Sequence, residues 1–278
     1  MKRIFIAFLS LLMASMLNAA QFRDVKDISG NVVKVPVNVE KIATLWYANN
    51  QIVLMLVGAD KIVATTDLIK NNKWFAHIYP RISSIPNGVN GKSLQAEELV
   101  ILNPDIVIAA DKNNKEELLK NGFTVFYPSF TNHADMKKSI SIMAEVIGGD
   151  APKIAQKFNE YFDGNLKRVL SKTDKIVASD RPKVLHIADG KNLLKVDGTN
   201  AVKNKKVYVN PAGVFSWDRY GAEVALQILW AAKTLHPELF KDVDIAAETK
   251  KFYKEFLHYD LSDKEVGYIL IGLDPEGK

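Results

Sequence analysis

The chain contains no cysteine among its 278 residues. That excludes disulfides, thiolate metal sites and a lipid-bearing cysteine behind a leader. Histidine is sparse: His77, His133, His186, His236 and His258 are scattered, and no two lie at i, i+4. A preformed transition-metal cage is therefore not expected. There is no Gly-x-Ser-x-Gly, no phosphate-binding loop and no His-Glu-x-x-His, so catalysis has little support and the chain is read as a non-enzyme. No basic stripe with interleaved aromatics occurs, which argues against nucleic acid as a partner. Beyond the first twenty residues, no apolar run approaches the roughly 20 residues needed to span a bilayer.

The first twenty residues read as an address. Lys2 and Arg3 form a positive start, Ile4 to Leu17 is almost wholly apolar, and Asn18-Ala19-Ala20 supplies small residues for cleavage. A signal peptide over 1–20 predicts a soluble protein of an export compartment, most naturally a bacterial periplasm. Its removal takes Lys2 and Arg3 with it and lowers the formal net charge from +5 to +3. The remaining length suits two modest lobes or one large domain.

Periodicity then organises the chain. DVKDISGNVVKVP reads as a hairpin with Gly30-Asn31 at its turn. Short apolar strands follow at KIATLW, KIVATT, PDIVIAA and FTVFYP, separated by helical patterns over 50–57, 94–102 and 115–120. Such alternation predicts a mostly parallel sheet with helices on both faces, and ligands in such sheets sit beyond the strands' carboxyl ends. Met136, Ile140, Met143 and Ile147 mark one helix, closed by Gly148-Gly149. Asp150 is placed to cap a long helix with Pro152 in its first turn and an apolar face running from Ile154 to Leu170. Ending near Thr173, it would be about 34 Å long at 1.5 Å per residue. A second α/β region starts at Arg181, with strand-like KVLHIA and KKVYVNP and a helix predicted over 219–235. Ser262 and Glu265 have capping-box spacing.

In this order the pieces resemble the periplasmic solute-binding proteins of ABC importers for iron–siderophore complexes and vitamin B12. VEKIATL with LMLVGADKIVATT is similar to that family's first strand, helix and second strand. LQAEELVILNPDIVIA is similar to its helix–Pro-Asp–strand block, MAEVIGGDAPKIAQKF to the entry of its bridging helix, and KKVYVNPAGVFSWDRYGAEVALQILWAAKTLHPELF to its closing strand, aromatic loop and helix. The resemblance spans roughly Asp24 to Leu257. It implies two α/β lobes bridged by one long helix: an N-terminal lobe at 21–149, the bridge at 150–175 and a C-terminal lobe at 176–278. It also implies a helix, a Gly-Gly turn and a second Pro-Asp–strand block before AVKNKKVYVNP, where this chain runs from Asn200 straight to Ala201. A parallel crossover alone needs a dozen or more residues, so the second lobe is expected to be truncated.

Loop positions give the candidate ligand-binding residues. Trp46 and Tyr47 follow the first strand, and Trp74, His77 and Arg81 the second. Lys112 follows the third, Tyr127 ends the fourth, and Phe215, Trp217 and Arg219 follow the last. Aromatic walls with planar, paired arginine donors suit a flat anionic chelate. The resemblance points to a ferric siderophore, an iron(III) complex held without an intrinsic cofactor, with nickel, haem and cobalamin complexes as alternatives. It further implies a monomer that docks on a membrane permease through an acidic residue on each lobe. Glu97 matches the first-lobe position, with Glu98 beside it, and the second-lobe counterpart would lie in the missing segment. A truncated, non-functional variant is the other reading of the same residues.

Overall fold

The computed structural model describes residues 21–28, 30–109, 112–128, 130–187 and 198–278. The signal-peptide reading and most of NLLKVDGTN fall outside them. The hairpin forms as expected: β1 (Phe22–Lys26) and β2 (Val32–Pro36) pair antiparallel, with Lys26 opposite Val32. Val25 and Val35 are buried, and Arg23 Nη2 donates to the Val146 carbonyl at 2.7 Å, tying the ribbon to the body.

The first lobe then builds through β3 (Ile42–Thr44), α1 (Tyr47–Val57), β4 (Ile62–Thr66), the short helices α2 (Asp67–Lys70) and α3 (Lys73–Ile78), and a 3-10 turn at Pro80–Ser84. It continues with β5 (Asn87–Asn90), β6 (Ser93–Leu94), α4 (Ala96–Leu102), β7 (Ile106–Ile108), α5 (Lys112–Lys120) and β8 (Val125–Phe126). The six strands lie in the order β6-β5-β4-β3-β7-β8. Every pairing is parallel except β5 with β6. Strand alternation sorts the core into two layers. Ile42, Ile106, Ile108 and Phe126 face one apolar cluster, while Ala43, Val107 and Val125 face another with Leu99 of α4 and Leu118 of α5.

The Pro-Asp block has a local cause. Asn103 takes the left-handed conformation (φ 45°) and ends α4, and Pro104 cannot continue the helix. Asp105 Oδ2 then accepts from the backbone N–H groups of Glu40 and Lys41, both at 2.8 Å. The motif thus fastens the start of β7 to the start of β3.

α6 (His133–Ile147) leads into α7 (Ala151–Thr173), a helix of 23 residues. The sequence places its end and Pro152 correctly, but Asp150 does not cap it. That residue is itself helical in φ/ψ, and its side chain accepts no cap bond. After α7 come α8 (Asn200–Lys203), α9 (Val224–Leu235), α10 (Ile245–Phe256) and α11 (Asp263–Leu270). Asn165 Nδ2 of α7 donates to the Ala225 carbonyl at 2.9 Å, and Arg168 pairs with Asp242 and Glu248, each at 3.0 Å. Phe158 meets Phe256 edge to face at 5.8 Å. One continuous apolar core runs from the hairpin through α7 to α11.

Two expectations for the second half are corrected. KVLHIA and KKVYVNP form no strand among the described residues. Val184, Leu185, Val207, Tyr208 and Val209 are each more than half exposed. Two short segments without an interior partner are too little for a stable sheet. Leu226 is fully buried, because α9 packs on α7. The helix predicted from Arg219 begins instead at Val224, five residues later, because residues 215–223 fold around a buried carboxylate.

Candidate ligand-binding site

The chain lays down β3, β4 and β5 to one side and then crosses to β7 and β8 on the other. The gap between β3 and β7 is therefore the switch point of the sheet, the place beyond the carboxyl ends where such sheets bind ligands. Trp46 and Tyr47 stand there at the head of α1. Asn50 anchors this turn: its Nδ2 donates to the Trp46 carbonyl at 2.9 Å, and its Oδ1 accepts from Thr65 Oγ1 at 2.7 Å.

The 211–223 segment lies against that turn. The Tyr47 and Phe215 rings approach to 4.5 Å, and Tyr47 Oη donates to the Val214 carbonyl at 3.3 Å. Asn72 Nδ2 also meets this hydroxyl. Burial raises the Tyr47 pKa well above the ordinary tyrosine range, although the Asn72 bond pulls the other way. A second run of rings continues outward. Trp46 lies 5.5 Å from Phe130, Phe130 lies 5.6 Å from Tyr220, and Tyr220 lies 5.7 Å from His133. Tyr220 Oη donates to the Thr131 carbonyl at 2.5 Å. Burial lowers the His133 pKa.

Behind the rings sits Glu223, fully buried. Its Oε2 accepts from Gln51 Nε2 at 2.8 Å and from the Phe215 N–H at 2.7 Å. Its Oε1 accepts from Tyr253 Oη at 2.5 Å and from Trp217 Nε1 at 3.1 Å. Gln51 Oε1 in turn accepts the Ala222 N–H at 2.7 Å. Burial pushes the carboxyl up to about 7, with the four hydrogen bonds opposing. At i+4 from Arg219 on a predicted helix, Glu223 would be an ion-pair partner. In the structure Arg219 instead lies 3.7 Å from Asp218 Oδ1, and Asp218 Oδ2 is bonded by His186 Nε2 at 2.8 Å. Phe130, His133 and Tyr220 were also missed as wall residues. Their position just past β8, and within the FSWDRYG run, was the available signal.

Trp46, Tyr47 and Phe215 therefore belong to one neighbourhood, with Arg219 one residue before Tyr220, while Trp217, Trp74, His77 and Arg81 do not line it. Trp217 has no exposed surface and supports the wall from behind. Trp74 is buried too, its Nε1 donating to the Leu273 carbonyl at 2.8 Å. His77 Nε2 meets Glu265 Oε1 at 2.8 Å and Tyr259 Oη at 2.9 Å. Both residues thus dock the C-terminal tail onto α3. Arg81 donates to the Asp60 carbonyl at 2.9 Å; Asp60 precedes β4, so this arginine reaches toward the amino ends of the strands. Tyr127 lies beyond β8 with Lys115 Nζ 5.5 Å from its ring centre. Lys112 is the first residue of α5, and its side chain falls outside the described residues. Among the described residues no group of three or more His, Asp or Glu could hold a metal ion. A shallow concavity of about 340 Å³ lies between the hairpin and β8, lined by Asp27, Asn31, Lys34, Lys115 and Phe123 among others. It includes none of the candidate ligand-binding residues.

No family model matches the chain, and no curated protein matches it by sequence. Solved structures do. A periplasmic solute binding protein from Veillonella parvula superposes with a TM-score of 0.78 at 21% identity, over 90% of this chain and 97% of that one. The molybdate periplasmic binding protein MolA of a Haemophilus influenzae ABC transporter gives 0.73 at 16% identity, over 86% and 99%. Helicobacter pylori CeuE with Ni(II) bound gives 0.65 at 22% identity, over 89% and 99%.

The chain has the fold of the periplasmic solute-binding proteins.

In that fold Glu97 and Glu98 occupy the first turn of α4. Glu97 is exposed and Glu98 half-buried. Val100 and Ile101, three and four residues beyond Glu97, are exposed on the same helix face. No described helix is long and apolar enough to cross a membrane.

Proposed function

We propose that this chain is the solute-binding component of an ABC importer. It is a non-enzymatic, monomeric periplasmic protein that takes a metal chelate, a ferric siderophore first, and delivers it to a membrane permease. The observation that carries this reading is the meeting of two aromatic loops at the switch point of the sheet: Tyr47 against Phe215 at 4.5 Å, flanked by Trp46 and Tyr220. Arg219, half-exposed one residue before Tyr220, supplies the charge that a flat anionic complex needs. The division into a leader at 1–20, a first lobe at 21–149, a bridge at 150–175 and a shortened second lobe at 176–278 belongs to the same proposal, as does docking through Glu97 and Glu98.

The structural neighbours hold molybdate and Ni(II), so the test includes them. Tryptophan emission is titrated with ferric tricatecholate, with molybdate and Ni(II)–histidine run in parallel. Saturable quenching by the tricatecholate alone supports the ferric reading, and quenching by another probe reassigns the ligand. No response to any of the three overturns capture at this wall. A second reading, a truncated form that no longer captures ligand, is favoured by the exposed Val184, Leu185 and Val207–Val209. It predicts the silent outcome together with a broad thermal transition.

A further inference from the structure

Among the described residues Glu223 is the one carboxylate in this neighbourhood with no exposed surface, and its environment is made for it alone. Two donors converge on each oxygen, and none of the four is cationic. The donors come from three places in the chain: Gln51 from α1, Phe215 and Trp217 from the aromatic loop, and Tyr253 from α10. The backbone gives way to accommodate them. A Cβ at Gly213 would stand 1.8 Å from Tyr253 Oη and 2.4 Å from Glu223 Oε1, and one at Gly221 would stand 2.2 Å from Gln51 Oε1. Unpaired buried charge is costly, so an apolar residue would hold these elements together more cheaply. What a carboxylate adds is direction, since each bond fixes the angle of the group that donates it.

We propose that Glu223 is the positioning residue of the candidate site: its buried carboxylate clamps the Gly213–Tyr220 loop to α1 and thereby sets the Tyr47–Phe215 wall. The inference rests on the reading of that wall as ligand-facing. Gln51 completes the clamp by holding Glu223 with its amide N–H and Ala222 with its amide oxygen. The titratable groups that face Glu223 are Tyr253 from α10 and Tyr47 from α1. Burial is the main cause raising both, and each is pushed further by Glu223. Neither ionises near neutrality, so a change in the wall between pH 5 and 8.5 that is lost in Glu223→Gln reports Glu223 itself, whereas one that persists reports His133.

The test uses NMR on the full mature chain. In the wild type, Tyr47–Phe215 NOEs should be present, and the Phe215 amide and Trp217 indole signals should share one pH midpoint. In Glu223→Gln that shared titration should vanish and the Tyr47–Phe215 NOEs should weaken. The Trp74 indole signal, whose acceptor is the distant Leu273 carbonyl, should stay unchanged and so report an intact fold. Signals that follow His133 should titrate in both proteins. Gln51→Met removes the α1 side of the clamp and serves if the first variant does not fold. Affinity for ferric tricatecholate should fall at least tenfold in either variant. NOEs unchanged in a folded variant overturn the proposal, as does a lost wall with unchanged affinity. A lost wall in a protein whose wild type ignores the tricatecholate leaves the clamp standing and removes only the ferric reading.

Discussion

Glu223 should give this protein a slope of stability against pH opposite to that of most carboxylates. Its folded pKa is raised from an ordinary 4.5 to about 7 by burial. The folded state therefore holds a proton that the unfolded state has released, and stability falls as pH rises through that window. At about 1.4 kcal/mol per pH unit, the loss between pH 4.5 and 7 is on the order of 3 kcal/mol. Other groups act elsewhere. Burial would raise Glu265, but bonds from Ser262, His77 and Tyr259 outweigh it and hold it at about 2. Its contribution is present above pH 4.5 and is lost as pH falls toward 2. Asp242, held at about 2 by Lys172 and Arg168, and Asp274, held there by Lys73, behave likewise. His133, lowered by burial, opposes Glu223 because its neutral form is favoured in the fold. Urea denaturation at pH 5, 6 and 7.5 on wild type and Glu223→Gln isolates the carboxyl, since His133 cancels in the difference. The wild type should lose about 3 kcal/mol relative to the variant across the series. An identical slope in both proteins would refute the assignment.

Five further outcomes follow from particular residues. Gly213→Ala should destabilise by about 3 kcal/mol or more in a urea melt, because its Cβ would collide with two buried oxygens. Gly164→Ala, on open helix surface with nothing within 4 Å, should stabilise by roughly 0.5–1 kcal/mol in the same melt. Trp74→Phe removes the donor to Leu273; it should cost about 1 kcal/mol or somewhat more and accelerate amide exchange over 271–278. Glu97→Arg should reduce uptake in cells and leave soluble affinity unchanged, with the effect shrinking at high ionic strength; an equal loss of affinity would place Glu97 in the site instead. Native-state hydrogen exchange should find strong protection over 42–126 and little over 182–187 and 205–210, where apolar side chains stand in solvent.

The parts of the fold that were legible share one property: their signal is local and repeated. The alternation of KIATLW and KIVATT, the apolar face of 154–170 and the Ser262–Glu265 capping box each specify their own geometry, and the structure contains all of them. The elements missed between Thr66 and Gly91 are only four to six residues long. Helices α2 and α3 exist because the side chains of Thr66 and Asn72 cap them, too short a run to show periodicity. The site was half legible. Loop position marks Trp46, Tyr47 and Phe215, which the structure brings together, but it cannot tell a ring on a surface from one that fills the space behind it. Trp217 and Trp74 are of the second kind because an indole N–H found an acceptor within the fold in each case, Glu223 and Leu273. Those partners lie 6 and 199 residues away. A carboxylate within a mostly apolar helical run reads as a solvated face until three distant segments are seen to converge on it.

The helical character of the second half bears on how any ligand could be held. In a two-lobed binding protein each lobe contributes loops at the carboxyl ends of its own sheet. Here the first lobe brings the loops after β3 and β8. The second half brings the 211–223 loop, hydrogen-bonded to Glu223, with no strand behind it among the described residues. That loop is not left floating. It is joined to α1 through Gln51, to α10 through Tyr253 and to the turn before α6 through Tyr220 and Thr131. The apolar core is equally continuous across α7. Loss of interior strands from the second lobe would therefore expose Val184 and Val207–Val209 without loosening the wall, because the wall's bonds run to the first lobe and to the C-terminal helices. Stability and the candidate site do not depend on a second sheet. What the sheet would add is the opposite face of the crevice, and with it the enclosure that converts contact into tight capture.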